Sequence, residues 1–169
     1  FAMGTLVGFG IASRLLSDKG IPANLALTGA AVGVPGFAAI VLASMGGGIP
    51  VFLIGTFVVG LGAGLFGHAT LTATMRAAPR DRIGLALGAW GAVQATAAGI
   101  GVALAGIVRD IIVGLQGPAG NTAETPYNIV FMIEGLFLVA TIAVILPMVH
   151  KRHRQTKLTN TTHNPVEAP

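Results

Sequence analysis

Apolar residues dominate the chain in five runs, which short polar breaks separate. A helix that crosses a bilayer needs about 20 predominantly apolar residues. The last four runs meet this length, and the first falls a few residues short. Transmembrane strands would need alternating segments of roughly ten residues, and the sequence shows none. The pattern therefore predicts an all-α membrane protein, a polytopic helix bundle with five spans at about 1–16, 22–44, 50–75, 83–108 and 128–149.

Basic residues occur in alternate breaks, which sets the expected orientation. The break after the second run has no charge, and in the break after the fourth run Asp110 and Glu124 balance Arg109. Cytoplasmic loops of membrane proteins carry the excess of Lys and Arg. We therefore expect residues 1–150 to form the bundle, with 151–169 as a basic, disordered cytoplasmic tail. The predicted cytoplasmic anchor residues are Arg14, Lys19, Arg76, Arg80 and Arg82.

The composition agrees with lipid as the main solvent. Hydrophobic residues make up 53% of the chain and charged residues only 9%, against about 25% charged in soluble domains. The 169 residues contain no Cys, which excludes a disulfide framework or a thiolate metal site within them. We predict no metal site, and no catalytic arrangement is visible, so we do not expect an enzyme.

Glycines recur at the spacing of helix interfaces. Gly4 and Gly8, Gly60 and Gly64, and Gly84 and Gly88 each form a GxxxG pair. Such pairs let two helix backbones approach closely in a membrane. They predict internal packing of the bundle, and the alternative is a docking face for a partner helix.

Two stretches of the sequence carry a family resemblance. "GLFGHATLTATM" (64–75), followed by "RAAPRDRIGLALGAWGAVQATAAGIGVALAGIVRD" (76–110), resembles the PucC/LhaA family of the major facilitator superfamily. Within it, "GAWGAVQATAAG" (88–99) is the most specific part. "GFGIASRLLSDKG" (8–20) is similar to the basic loop that such folds place between the second and third helices of each half.

The resemblance implies a function and a place in a larger fold. Its members deliver bacteriochlorophyll or help assemble light-harvesting complexes in photosynthetic bacteria. It implies that the five runs are helices eight to twelve of a twelve-helix protein in the bacterial inner or intracytoplasmic photosynthetic membrane, with a cytoplasmic C-terminus. The chain begins at Phe1 inside an apolar run, and we expect it to be the C-terminal part of a longer protein.

The resemblance also implies partners, and it leaves alternatives open. The expected partners are membrane lipid, the antenna polypeptides of LH1 or LH2 rings, with or without the reaction centre, and the N-terminal helices of the same protein. "GHATLTATM" favours the core antenna, LH1. The alternatives are a fragment of a secondary transporter and a stable subunit of a photosynthetic complex.

Three polar side chains are candidates for binding pigment. His68 lies about 12 Å along its helix from Arg76, at about 1.5 Å per residue, and therefore inside the bilayer. A neutral imidazole suits the magnesium of bacteriochlorophyll, whereas the structural alternative is a hydrogen bond to a neighbouring helix. Trp90 and Gln94 are one turn apart. Trp90 could stack on a pigment ring or lie against lipid, and Gln94 could bond a pigment carbonyl or another helix.

A carboxylate is predicted inside the last span. Glu134 lies in "FMIEGLF", where it needs a partner or a proton. Arg109 is expected at a similar depth, so the sequence predicts an intramembrane ion pair between the two. The alternatives are that Asp110 pairs with Arg109 and that Glu134 couples protons or substrate.

Overall fold

The computed structural model describes residues 1–17, 20–116 and 124–163, and every regular element in this part of the chain is helical. The prediction of an all-α protein is confirmed for these residues, since no strand occurs among them. A π-helical segment, Ala43–Gly47, and a 3₁₀ turn, Arg80–Arg82, lie between long helices. Those helices are α1 (Ala2–Ser17), α2 (Pro22–Leu42), α3 (Gly48–Ala77), α4 (Ile83–Gln116) and α5 (Glu124–His163).

Three of the described stretches are long and apolar enough to cross a membrane. They are Pro22–Ala77, Arg80–Leu115 and Thr125–Pro147, while Ala2–Ser17 is a shorter apolar helix. The first stretch contains both α2 and α3, and the chain reverses between them at two glycines with positive φ, Gly46 at 118° and Gly48 at 66°. L side chains rarely adopt such values, so glycine is needed at this turn. The structure thus supports a membrane protein, and the count of five spans stays a prediction.

Helix α1 runs parallel to α3, and glycines line the seam. Gly4 and Gly8 of α1 face the backbone of α3, and Gly60 and Gly64 of α3 face the backbone of α1. A Cβ atom on Gly8 would lie 3.0 Å from the nitrogen of Leu65. Because real Cβ contacts are longer, no larger residue fits without separating the helices.

Helix α2 runs antiparallel to α3 along a second glycine seam. Gly29 lies against Gly62 near one end, and Gly36 lies against Gly55 near the other. These glycines fall outside the three GxxxG pairs in which the sequence indicated close packing. Their partners are known only once the two helices are aligned across the turn.

Helix α5 covers the other side of α2 and runs antiparallel to it. Gly33 faces the side chain of Leu138, and Gly135 faces the Cβ atom of Phe37. Helices α1, α3 and α5 therefore run in one direction and α2 in the opposite direction. As a result, the end of α1, the start of α2 and the end of α3 lie at the same end of the bundle, which we call the basic end because Arg14, Arg76, Arg80 and Arg82 are there.

The buried core lies where α1, α2 and α3 meet, in the half of the bundle next to the basic end. Its side chains are small or aliphatic, and the aromatic ring of Phe66 packs against them. Two fully buried alanines, Ala12 and Ala69, show how closely these helices approach. The members of the cluster are Ala12, Leu16, Leu25, Ala26, Leu65 and Ala69.

Helix α4 lies at the edge of the described bundle. No residue in the most apolar part of α4 is buried, and the same holds for α5. No atom lies within 4 Å of the Cβ position at Gly84 or Gly88. No described residue packs against this GxxxG pair, so its packing against another helix stays a prediction.

The tail differs from its prediction. Helix α5 continues past Pro147 to His163, whereas the sequence predicted disorder from residue 151. No Gly or Pro follows Pro147 until Pro165, so no residue type that breaks helices interrupts this segment. Residues 164–169 lie outside the described part of the chain.

Candidate functional site

Trp90 connects α4 to α3. Its indole Nε1 donates a hydrogen bond to Thr70 Oγ1 at 3.4 Å. The Thr70 hydroxyl in turn lies 3.0 Å from the carbonyl oxygens of Phe66 and Gly67, to which it can donate. The only polar atom of the Trp90 side chain is therefore used inside the protein. The sequence left pigment stacking or lipid contact open for Trp90 and did not indicate this bond to α3.

His68 lies on another face of α3. Its ring is half-buried and meets the ring of Phe9 edge to face, with 5.5 Å between ring centroids and 89° between planes. No hydrogen bond to His68 occurs among the described residues. The sequence left open a hydrogen bond between His68 and a neighbouring helix. The structure shows an aromatic contact with α1 instead.

The three predicted pigment-binding residues do not form one site. Residues two apart on an α-helix point about 200° apart around its axis, so His68 faces away from Thr70 and from the Trp90 bonded to it. Gln94, on α4, is exposed.

Arg109 pairs with its neighbours at the end opposite the basic end. Its guanidinium Nη1 lies 3.6 Å from Asp110 Oδ1, and its Cζ lies 5.6 Å from the centre of the Tyr127 ring. The predicted ion pair with Glu134 does not occur among the described residues, whereas the alternative pair of Arg109 with Asp110 does. Glu134 lies seven residues beyond Tyr127 on α5, about 10 Å further along the axis. It is exposed and has no ion pair among the described residues.

Arg76 makes contacts that the sequence analysis missed. Its Nη1 donates to the carbonyl oxygen of Gly20 at 3.0 Å, and its Nη2 donates to that of Leu16 at 3.1 Å. The last carbonyls of a helix have no partners inside it, and a cation there also interacts favourably with the helix dipole. Arg76, from the last turn of α3, therefore caps the C-terminal end of α1. The sequence shows a basic residue in the last turn of α3, but it does not show which helix that residue contacts.

The other predicted anchor residues make fewer contacts. Arg14, Arg80 and Arg82 are exposed, and Arg82 Nε lies 3.5 Å from Asp81. Lys19 lies outside the described residues. Among the predicted anchors that are described, Arg76 is therefore the one with a structural role between helices.

Two cavities open at opposite ends of the bundle. The first, of about 560 Å³, lies beside the glycine turn and is lined by Phe52, Tyr127 and Phe131 among others. The second, of about 540 Å³, lies at the basic end between α2, α3 and α5, and both Arg76 and Thr70 line it. His68 and Gln94 line neither cavity.

Comparison with known proteins identifies the family. The model of the family described as PUCC protein matches residues 1–153 of this chain. The chain belongs to the PucC family. This PucC-family chain is 59% identical over 156 residues to Protein PucC of Rhodobacter capsulatus, an alignment that covers 91% of the chain and 34% of the relative.

Further relatives agree. Protein PucC of Cereibacter sphaeroides is 53% identical over 148 residues, which cover 88% of the chain and 32% of the relative. A second Rhodobacter capsulatus protein, described as an uncharacterised protein in the puhA–bchM intergenic region, is 38% identical over 154 residues, or 88% of the chain and 32% of the relative. The PucC-family chain thus spans about a third of the length of these relatives. No solved structure matches it.

Proposed function

We propose that this chain is part of a light-harvesting assembly factor of a photosynthetic bacterium. In this role it handles bacteriochlorophyll, antenna polypeptides or both while LH1 or LH2 rings are built. The observation that carries the proposal is the PucC-family match over residues 1–153. The same proposal includes a major facilitator fold, an inner or intracytoplasmic membrane location and a C-terminus on the cytoplasmic side.

The exposed side of α4 supports the proposal physically. Five small residues, Gly84, Gly88, Ala92, Ala95 and Gly99, are exposed and lie within about 80° of one another around the helix. Small residues let a second helix or a flat apolar molecule approach the backbone closely in lipid. An antenna helix is such a second helix, and a pigment ring is such a flat apolar molecule.

His68 is the residue in this chain that fits a pigment ligand. Bacteriochlorophyll would supply a magnesium ion, and His68 would hold it through a neutral imidazole nitrogen. The ring of His68 is half-buried, its orientation is limited by the Phe9 ring, and its nitrogens accept or donate no hydrogen bond among the described residues. Trp90 does not fit this role, because its indole N–H group is a donor only and has no lone pair for a metal.

An absorption spectrum tests the pigment role. The full-length protein is purified in mild detergent from pigment-producing cells, as wild type, as His68→Ala and as the exposed control Ser13→Ala. We expect bound bacteriochlorophyll in the wild type and the control and its loss in His68→Ala. Pigment retained in all three would remove His68 from the site. Pigment absent from all three would contradict pigment handling and leave antenna polypeptides as the cargo.

Glu134 favours a second candidate function, a secondary transporter. An exposed carboxylate inside an apolar helix, with no ion pair among the described residues, is the kind of group that couples proton movement to transport. Uptake of a labelled solute by the full-length protein, abolished in Glu134→Gln, would favour the transporter. The third candidate, a stable subunit, would appear at fixed stoichiometry with reaction-centre and antenna chains.

A further inference from the structure

The cavity at the basic end combines apolar walls with a fixed cation at its mouth. Alanine is the commonest residue in its walls, with Ala23 and Ala26 from α2 and Ala69 and Ala73 from α3, and Ile145 of α5 lies opposite. From Ala69 to Ala77 the α3 wall extends about 12 Å along the helix axis. Space of about 540 Å³ and this length suit an apolar chain that runs along the helices.

The guanidinium of Arg76 is fixed in place, and its charge is not neutralised by a described carboxylate. Its two hydrogen-bond partners are the neutral carbonyls of Gly20 and Leu16. By contrast, Arg82 and Arg109 each lie beside an aspartate. The cation therefore lies at the mouth of an apolar cavity with a net positive charge around it.

Arg76 lies at the end of the bundle, where we expect the surface of the membrane. Arg76 is in the last turn of α3, and the exposed Arg14, Arg80 and Arg82 lie at the same end. Basic pockets between transmembrane helices at such a surface bind anionic headgroups. Arginine is also suited to phosphate, because its planar donors can bind two oxygens at once.

We propose that this cavity binds an anionic phospholipid. Its phosphate lies on Arg76, and one acyl chain lies along the alanine wall between α2, α3 and α5. Arg76 already makes two hydrogen bonds at this point, one of which joins α3 to α1. The phosphate of the lipid would be a third partner of the same side chain. The proposal rests on the charge and shape of the cavity and is independent of the proposed function in antenna assembly.

Lipid retention by the full-length protein tests the proposal. The protein is purified from vesicles that contain equal amounts of phosphatidylglycerol and phosphatidylcholine, and the retained lipids are measured by mass spectrometry. Four forms are compared: wild type, Arg76→Gln, Ala73→Phe, which fills the cavity and keeps the arginine, and the control Arg80→Gln, which removes an exposed arginine at the same end. Thermal unfolding of each form checks that it is folded.

We expect wild type and Arg80→Gln to retain phosphatidylglycerol selectively. Arg76→Gln should lower its retention by about tenfold, which corresponds to the loss of one charge-assisted contact. Ala73→Phe should lower it by a similar factor, because the added ring occupies the space of the acyl chain. Equal retention of the two lipids by wild type would overturn the proposal. So would an equal loss in Arg80→Gln, which would indicate diffuse surface charge, or unchanged retention in Ala73→Phe, which would place the lipid outside the cavity.

Discussion

Polar side chains inside the apolar helices of this protein are satisfied mainly by nearby partners. Thr70 and Thr74 each lie at hydrogen-bond distance from the carbonyl four residues earlier in α3, and Thr141 does so in α5. A hydroxyl in lipid gains from such a bond because no water competes for it. Trp90 adds its N–H group to this arrangement at Thr70. Polar character in a span therefore does not by itself identify a binding residue.

A double-mutant cycle distinguishes the ion pair in the structure from the one that the sequence predicted. We expect Arg109→Ala and Asp110→Ala to couple by less than about 1 kcal/mol in the free energy of unfolding, because the pair is exposed. Arg109→Ala and Glu134→Gln should show no coupling, since Glu134 lies two turns from Tyr127. Denaturant unfolding of the full-length protein in detergent measures both cycles. A larger coupling in the second cycle would restore the predicted pair.

At the scale of helices, two glycine seams organise the bundle. One joins α1 to α3 and the other joins α2 to α3, so α3 packs against two helices through glycines on different sides. Van der Waals packing between close backbones contributes strongly to helix association in lipid, where the hydrophobic effect does not favour it. GxxxG spacing alone correctly indicated small residues, but it did not distinguish a packed pair from an exposed one.

Matched alanine variants test which GxxxG pair is packed. A Cβ atom on Gly64 would lie 3.0 Å from the Cα atom of Gly8, whereas no atom lies within 4 Å of the Cβ position at Gly84. We expect Gly64→Ala to lower the free energy of unfolding by about 1–3 kcal/mol, because α1 must move away. Gly84→Ala should be neutral or slightly stabilising, since alanine favours helix. Thermal unfolding of the two variants is the measurement, and equal losses would mean that both pairs are packed in the full-length protein.

At the scale of the whole molecule, the alternation of helix directions collects the basic residues at one end. Helices α1 and α3 end there and α2 begins there, so breaks that are far apart in sequence share one surface. The glycine turn and the Arg109–Tyr127 contact lie at the opposite end. This arrangement is what the positive-inside rule requires of a protein with its basic end in the cytoplasm.

Single cysteines in the full-length protein test the orientation. These 169 residues contain no Cys, and any cysteine elsewhere in the protein is first replaced by serine. Met45→Cys places a thiol near the glycine turn, and Ala78→Cys places one at the basic end. A membrane-impermeant maleimide added outside the inner membrane should label Met45→Cys at once and Ala78→Cys only after permeabilisation. The reverse pattern would invert the proposed topology.

The sequence by itself determined the helices, because runs of apolar residues and the charges between them are local properties of the chain. The helical class, the distribution of charge and the PucC resemblance therefore followed from it. Only the tertiary structure decided partners. In the structure His68 lies apart from Trp90, and Trp90 bonds Thr70. Arg109 contacts Asp110 and Tyr127 rather than Glu134. Arg76 bonds the end of α1. The face that a residue turns to its neighbours depends on how helices pack, and that packing follows from glycines on different helices meeting in space.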